Sequence, residues 1–350
     1  MSEKIMIGMS GGVDSTVAAY LLKRDGYDVA GMNCRFFCED ENLLASGDDI
    51  KDAEAVCQKL NIPFFVSDLR KEFADCVIED FLSSYEKGET PNPCVCCNKH
   101  MKFGLMLNKA EECGYDNVAT GHYAVIEKDT NGRYLLKKGA DISKDQSYVL
   151  YVLNQHQLSH SYFPLGGLCK SEIREMAESL GFINANRKDS QDICFVPDGD
   201  YASFIEKRTG KTYPTGDFVT RDGRVLGQHK GIIRYTVGQR KGLGLALPAP
   251  MYVCEKDVCN NRVILSDNET LFTKNLTATN INLIPFDRID SSIRVKAKVR
   301  YKHQEQWATV HQTSEDSLFV EFDEPVRAIA KGQSLVMYDG DYVVGGGIIK

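Results

Sequence analysis

Two groups of residues in this sequence could do chemistry: a glycine-rich turn near the amino terminus, and two cysteine segments far apart in the chain. The turn is Gly8-Met9-Ser10-Gly11-Gly12-Val13-Asp14-Ser15. Its glycines let a backbone approach a ligand closely, and Ser10 and Ser15 offer hydroxyls. A helix beginning at its end would add unpaired amides and a positive dipole, so phosphate or pyrophosphate is the natural guest. The turn lacks the Gly-Lys-Ser/Thr ending of the common nucleotide-hydrolase loop and the Gly-x-Gly-x-x-Gly dinucleotide turn. On the glycines alone, a plain helix-capping turn explains the segment as well.

The first cysteine segment is Pro91-Asn92-Pro93-Cys94-Val95-Cys96-Cys97-Asn98. Its prolines predict a stiff loop, in which exposed thiols are reactive rather than small core hydrophobes. The second is Lys188-Asp189-Ser190-Gln191-Asp192-Ile193-Cys194-Phe195, where Lys188 is placed to help hold a thiolate on Cys194. Cys57, Cys76 and Cys113 fall within helical patterns, which predicts core packing. The chain has twelve cysteines, and Met1-Ser2-Glu3-Lys4 runs straight into an apolar strand without the pattern of an export signal. Reduced thiols in a cytoplasmic protein are therefore expected, with no membrane segment.

These groups need elements to hold them. Residues 4 to 123 alternate short apolar runs with helical periodicity, the pattern of a parallel sheet flanked by helices. Ile5-Met6-Ile7 reads as the first strand, and Val13, Val17, Leu21 and Leu22 share one face of the helix that follows, which Gly26 is placed to end. Further strands are expected at Tyr27 to Met32, Pro63 to Val66 and Val118 to Thr120. Helices are expected across Asp52 to Leu60 and along Phe73, Val77, Phe81 and Tyr85. The glycine turn then sits after a strand and before a helix, where open parallel sheets bind ligands. Near residue 200 the pattern changes to short strands and turns such as Arg221-Asp222-Gly223-Arg224. From about 275, alternating segments such as Ile293 to Tyr301 and Ser317 to Phe322, with glycine turns at Gly332 and Gly340, predict a small antiparallel barrel. Three domains are expected, at 1–200, 201–272 and 273–350.

A chain of 350 residues with 43% hydrophobic content can bury more than one core, and its net charge of −7 excludes nucleic-acid binding by bulk electrostatics. Any RNA contact must come from local patches. Arg294, Lys296, Lys298, Arg300 and Lys302 alternate with Val295, Ala297, Val299 and Tyr301, so a strand would put all five cations on one face. A solvated strand face explains that stripe equally well. Lys230, Arg234, Arg240 and Lys241 form a second basic region.

The string Ser10-Gly11-Gly12-Val13-Asp14-Ser15 resembles the loop of the ATP pyrophosphatases, which split ATP into AMP and pyrophosphate. With both cysteine segments, the chain resembles the tRNA-specific 2-thiouridylase family along nearly its whole length. Further landmarks are Ala119-Thr120-Gly121-His122-Tyr123, Lys144-Asp145-Gln146-Ser147-Tyr148, Pro164-Leu165-Gly166, Tyr235 to Gly244, and Gly345-Gly346-Gly347-Ile348-Ile349. The resemblance implies an α/β fold: a parallel-sheet ATP pyrophosphatase domain of the adenine-nucleotide alpha-hydrolase type, a small mixed β domain and a carboxyl-terminal antiparallel β-barrel. It implies ATP with Mg on its phosphates, held by Gly8 to Ser15, by Cys34 through its backbone and by Gly121.

The implied reaction activates the 2-oxygen of the wobble uridine as an adenylate and replaces it with sulfur. Cys194 would carry the sulfur as a persulfide, and Cys97 would free it and close a disulfide with Cys194. Asn92, Pro93 and Cys94 would line the pocket of the flipped base. His122, Lys144, Asp145, Gln146, Arg300, Tyr301 and Gln333 match tRNA-contact positions. The implied partners are tRNAs for glutamate, glutamine and lysine, and a sulfur-relay protein or cysteine desulfurase.

One departure stands out. Cys94 occupies a place where many family members carry aspartate, and Cys94, Cys97 and Cys194 could then hold an iron-sulfur cluster with an open iron. On the residues, two other readings stay open. One is an ATP pyrophosphatase that adenylates a small substrate; the other is an iron-sulfur RNA-binding module that uses nucleotide only as a regulator.

Overall fold

The computed structural model describes residues 2–37, 47–185 and 193–350. Strand β1 (Lys4–Gly8) is apolar at every inward position, and Ile5, Met6 and Ile7 are fully buried. Helix α1 (Val13–Arg24) packs its buried face, with Val17, Ala18 and Leu21, against the sheet. Gly26, at φ +91°, makes the left-handed turn into β2 (Asp28–Arg35). Helix α2 (Gly47–Leu60) leads to β3 (Phe64–Asp68), and β4 (Asn117–Ala119) lies on the other side of β1. The order is β3-β2-β1-β4 with Ser161–Tyr162 at the edge, and every pairing is parallel. The chain crosses to both sides of β1, so the crevice at the carboxyl ends of β1 and β4 is the switch point where such sheets bind ligands.

The helix through Phe73, Val77, Phe81 and Tyr85 forms as the spacing predicts, but with a π-turn at Ala74–Ile78 between Arg70–Phe73 and Glu79–Glu86. The cysteine segment is a correction, since it is not a loop. Pro93–Cys96 is the first turn of a helix that continues through a π-helical stretch, Cys97–Leu105, into Met106–Glu112. Asn92 is the N-cap, its Oδ1 accepting from the Cys94 amide at 3.2 Å, and Pro93 holds the first helical position. That pair is a helix start, where a missing N–H costs nothing. Cys113, expected in a core, is exposed at this helix's end, and Cys76 is half-buried, while Cys57 is buried as expected.

Beyond residue 200, helix Tyr201–Thr209 precedes a four-stranded sheet ordered Tyr252–Asp257, Arg262–Ser266, Gly216–Thr220, Val225–His229. The hairpin at Arg221 to Arg224 turns on Gly223, at φ +87°. Six strands from Phe272 to Ile349 form the barrel, closed where Phe272–Leu283 pairs with Tyr342–Ile349. The hairpin of Ala124–Lys128 and Tyr134–Lys138, from the first part of the chain, attaches to this barrel sheet through Lys137 and Tyr342.

The basic stripe needs a second correction. The strand is Ile293–Lys298, so only Arg294, Lys296 and Lys298 alternate outward, over buried Val295 and Ala297. Arg300 lies past its end, where Nη2 donates to the carbonyls of Val237 and Ala328, each at 2.8 Å. It ties the middle sheet to the barrel instead of facing solvent. Among the described residues, no helix is long and apolar enough to cross a membrane.

A candidate nucleotide and thiol site at the carboxyl edge of the sheet

The glycine turn connects β1 to α1, and no side chain caps Gly12 at the helix start, which leaves the first-turn amides to a ligand. The turn is braced from behind. Ser15 Oγ donates to the Gly12 carbonyl at 3.0 Å, and Asn33 Nδ2 to that of Met9 at 2.8 Å. Asn184 Nδ2 reaches the Gly11 carbonyl at 3.0 Å, while its buried Oδ1 has no hydrogen-bond partner. Gly11 has φ +75°, and a Cβ there would lie 2.8 Å from the Asp49 carbonyl oxygen. Gly121, just past β4, is packed as tightly: its Cβ would come within 2.9 Å of Asp14 and 3.0 Å of the Ser15 amide. A side chain at either place would push the turn out of shape, so both positions require glycine to keep the turn against its neighbours.

Asp14 turns its carboxylate away from the turn. It accepts from Lys170 Nζ at 2.7 and 2.9 Å and from the Tyr123 hydroxyl at 2.6 Å. The Lys170 side chain is largely buried, and it did not stand out in the sequence, whereas Tyr123 lies in one of the landmark segments. The pair fixes the start of α1 against the segment after β4.

The cysteine helix brings the thiols to the same edge. Cys97 opens the π-helical stretch and Lys102 lies five residues on. In an α-helix that spacing puts two side chains about 140° apart around the axis. A turn bonded i to i+5 brings them onto one side. Lys102 accordingly sits where its charge acts on Cys34 at the end of β2, on Cys97 and on Cys194. The Cys194 thiol in turn feels Cys94 and Cys97. Lys102 thus acts on Cys34, Cys97 and Cys194, and Cys94 lies close enough to act on the last two. Phe195 anchors the second segment, buried against Phe73 at 5.7 Å and Phe81 at 5.2 Å between ring centroids. Lys188 lies outside the described residues.

Of these thiols, one departs from the exposure expected of them. Cys97 is buried and Cys94 and Cys194 are exposed. Burial pushes Cys97 up to about 12, against the pull of Lys102, and Cys34 likewise to about 12. Cys194 is also raised, because protein crowds its thiol despite its exposure. The low thiol pKa that the chemistry favours is absent in this state. Lys102 is the one described cation acting on all three raised thiols, and it went unnoticed because a helix of ordinary period would point it elsewhere.

The other expected site residues divide into two groups. Tyr301 joins two of them: its hydroxyl donates to the Asp145 carbonyl at 2.9 Å, and it lies close enough to Cys94 for their charges to interact. Tyr301 is 38% exposed, Lys144 is partly exposed, and Gln146 Oε1 accepts from the Tyr123 amide. Gln333 and Arg300 act as straps. Gln333 Nε2 donates to the Thr90 carbonyl at 2.7 Å, tying the barrel to the chain just before the cysteine helix. His122 is buried between Phe103 and Phe163, with Nδ1 2.6 Å from Thr120 Oγ1 and Nε2 3.5 Å from Lys102 Nζ. Burial and that lysine hold its pKa well below the usual value, so it is a neutral ring.

A parallel sheet with a glycine cradle at its switch point, joined to a lysine-centred set of thiols, defines an ATP-pyrophosphatase-type enzyme with sulfur at its active edge. Comparison with known sequences gives the family. Residues 3–198 match the tRNA methyl transferase HUP domain, 202–267 the tRNA methyl transferase PRC-barrel domain, and 273–349 the aminomethyltransferase beta-barrel domain. The tRNA-specific 2-thiouridylase MnmA of Clostridioides difficile (strain 630) is 49% identical over 356 residues, covering 100% of this chain and 99% of that protein. That of Clostridium acetobutylicum is 46% identical, covering 100% of both chains. The chain belongs to the tRNA-specific 2-thiouridylase family. Among solved structures, the U34-tRNA thiolase NcsA from Methanococcus maripaludis is 18% identical, with a TM-score of 0.35 over 59% of this chain and 66% of its own. The domain descriptions speak of methyl transfer and the full-length relatives of thiolation; thiols gathered around a lysine suit the second.

Proposed function

We propose that this chain uses ATP to replace the 2-oxygen of the wobble uridine of tRNA with sulfur. The observation that carries the reading is the meeting, at one sheet edge, of the glycine cradle and the Cys94–Cys97–Cys194 set. The backbone of Gly8 to Ser15, with Gly121 close behind it, would hold the triphosphate. Mg would ride on the phosphates, since the Asp14 carboxylate is engaged by Lys170 and Tyr123.

The uracil 2-oxygen attacks the α-phosphorus, pyrophosphate leaves, and the oxygen becomes part of an AMP leaving group. The outer sulfur of a Cys194 persulfide attacks C2 and AMP departs, leaving the base joined to Cys194 through a disulfide. The Cys97 thiolate attacks the Cys194 sulfur, the S–S bond breaks toward the base, and 2-thiouridine leaves with a Cys97–Cys194 disulfide behind it. A dithiol reductant must return that pair for the next cycle. Lys102 holds the anionic sulfurs, and Tyr301 can stack on the flipped base. Glutamate, glutamine and lysine tRNAs, a cysteine desulfurase or relay protein as sulfur source, and work in the cytoplasm complete the reading.

The convergence of three thiols also favours a second reading, a cluster held by Cys94, Cys97 and Cys194 with sulfur bound at its open iron. The test is anaerobic incubation of the full chain with ATP, Mg, a cysteine desulfurase with cysteine as persulfide donor, a dithiol reductant and unmodified glutamate tRNA, followed by mass analysis of the nucleosides. The reading expects 2-thiouridine with wild type and none with Cys97→Ala or Cys194→Ala. Pyrophosphate release without any thiolated base would overturn it. Product that requires iron in stoichiometric amount would favour the cluster.

A further inference from the structure

The cysteine helix carries a second sulfur group that the thiolation scheme leaves unused. Cys96 and His100 are one turn apart on it, and Cys76 faces them from the π-turn of the preceding helix. One ligand atom from each lies within 4.8 Å of the others. The sulfurs of Cys76 and Cys96 are 3.7 Å apart. Two sulfurs bound to one tetrahedral zinc, each at about 2.3 Å, are separated by about 3.8 Å. Asp80 lies one turn beyond Cys76, near enough for its charge to act on Cys96 and His100. An open cleft of about 610 Å³, lined in part by Cys76, His100, Lys99 and Asp75, gives a path from solvent.

We propose that Cys76, Cys96 and His100 form a metal site for a soft divalent ion of the zinc class, with water as fourth ligand. Two thiolates and a neutral imidazole are the donors such an ion selects over harder cations. Binding replaces the two thiol protons, which pass to solvent, and gives a set with no net charge before the fourth ligand, which suits half-buried side chains. Without metal, burial and the nearby Cys76 and Asp80 hold Cys96 protonated, so it is a poor nucleophile. The metal would pin the helix that presents Cys97 to the helix before it. This site is separate from the thiolation reading and stands or falls on its own.

The test uses the full chain carrying Cys97→Ala and Cys194→Ala, which silences the other thiol set, prepared reduced and without air. Titration with Co2+ reads thiolate-to-cobalt absorption. One equivalent should give tetrahedral thiolate bands that one equivalent of Zn2+ erases. Cys76→Ser should abolish the bands, and His100→Ala should weaken Co2+ affinity by tenfold or more. His100 is exposed, so its variant decides the matter if Cys76→Ser fails to fold by circular dichroism. No thiolate band, bands unchanged in both variants, or a Cys76–Cys96 disulfide already present in the reduced preparation would each overturn the site.

Discussion

The helix that begins at Pro93 presents cysteines in two directions, and neighbouring residues 96 and 97 end in different environments. Cys97 faces Lys102, Cys34 and Cys194, and the lysine pulls every one of those thiols toward its anion. Cys96 faces Cys76 and Asp80, both of which push it the other way. Burial raises both thiols, but a cation opposes the rise at Cys97 and none is among the causes at Cys96. A lysine five residues away makes the difference, through a π-helical register.

The sharpest way to break that contrast is to exchange the roles. Cys97→Ala should cut 2-thiouridine formation by on the order of a thousandfold or more, since removing one member of a unit disables the whole. Cys96→Ala should leave turnover within about threefold of wild type and cost about 1 kcal/mol of stability, read by chemical denaturation. Equal losses in the two variants would mean that the faces are not distinct.

Gly121→Ala tests whether cradle and thiols are one site. The added Cβ meets Asp14 at 2.9 Å, so KM for ATP should rise about tenfold, a loss of ~1.4 kcal/mol. Binding of tRNA should hold in a filter assay. A rise in tRNA Kd alone would place the nucleotide elsewhere.

Lys102→Met should raise the Cys97 and Cys194 pKa values, because the charge that lowers them is gone. At a pH below those values the thiolate fraction falls about tenfold per unit of rise. The rate at neutral pH should drop about tenfold, and the pH–rate profile should move to higher pH, with activity partly recovered in alkali. A drop with no alkaline shift would make Lys102 a contact to tRNA or phosphate instead. At the small end, Arg294→Ala removes an exposed ion pair with Asp323 and should leave the chemical-denaturation midpoint unchanged, because solvent screens such a pair.

Much of this was legible in the chain. The first strand and helix around the glycine turn follow from a short apolar run and a 3.6-residue period, and burial of Ile5, Met6, Ile7 and Val17 agrees with that reading. The barrel follows from alternation and glycine turns. What failed to show has a common cause, a departure from the assumed period. Asn92-Pro93 read as loop because prolines were weighed before the cap-and-first-turn pairing they complete. Lys102 and the Cys76–Cys96–His100 set stayed hidden because two π-turns rotate them into place. Arg300 read as surface because the strand was continued to Tyr301, three residues past its end at Lys298. The Lys170 clamp on Asp14 spans 156 residues, and no local pattern announces such a pair.

In the proposed scheme sulfur passes across the Cys97 side of the helix and not the Cys96 side. The deciding experiment loads Cys194 with a persulfide from a cysteine desulfurase, runs one anaerobic turnover without reductant, and maps disulfide-linked peptides against 2-thiouridine formed. One Cys97–Cys194 disulfide per thiolated base is expected, with Cys76 and Cys96 unlinked. A disulfide that involves Cys96, or thiolated base accumulating while Cys97 and Cys194 both remain free thiols, would contradict it.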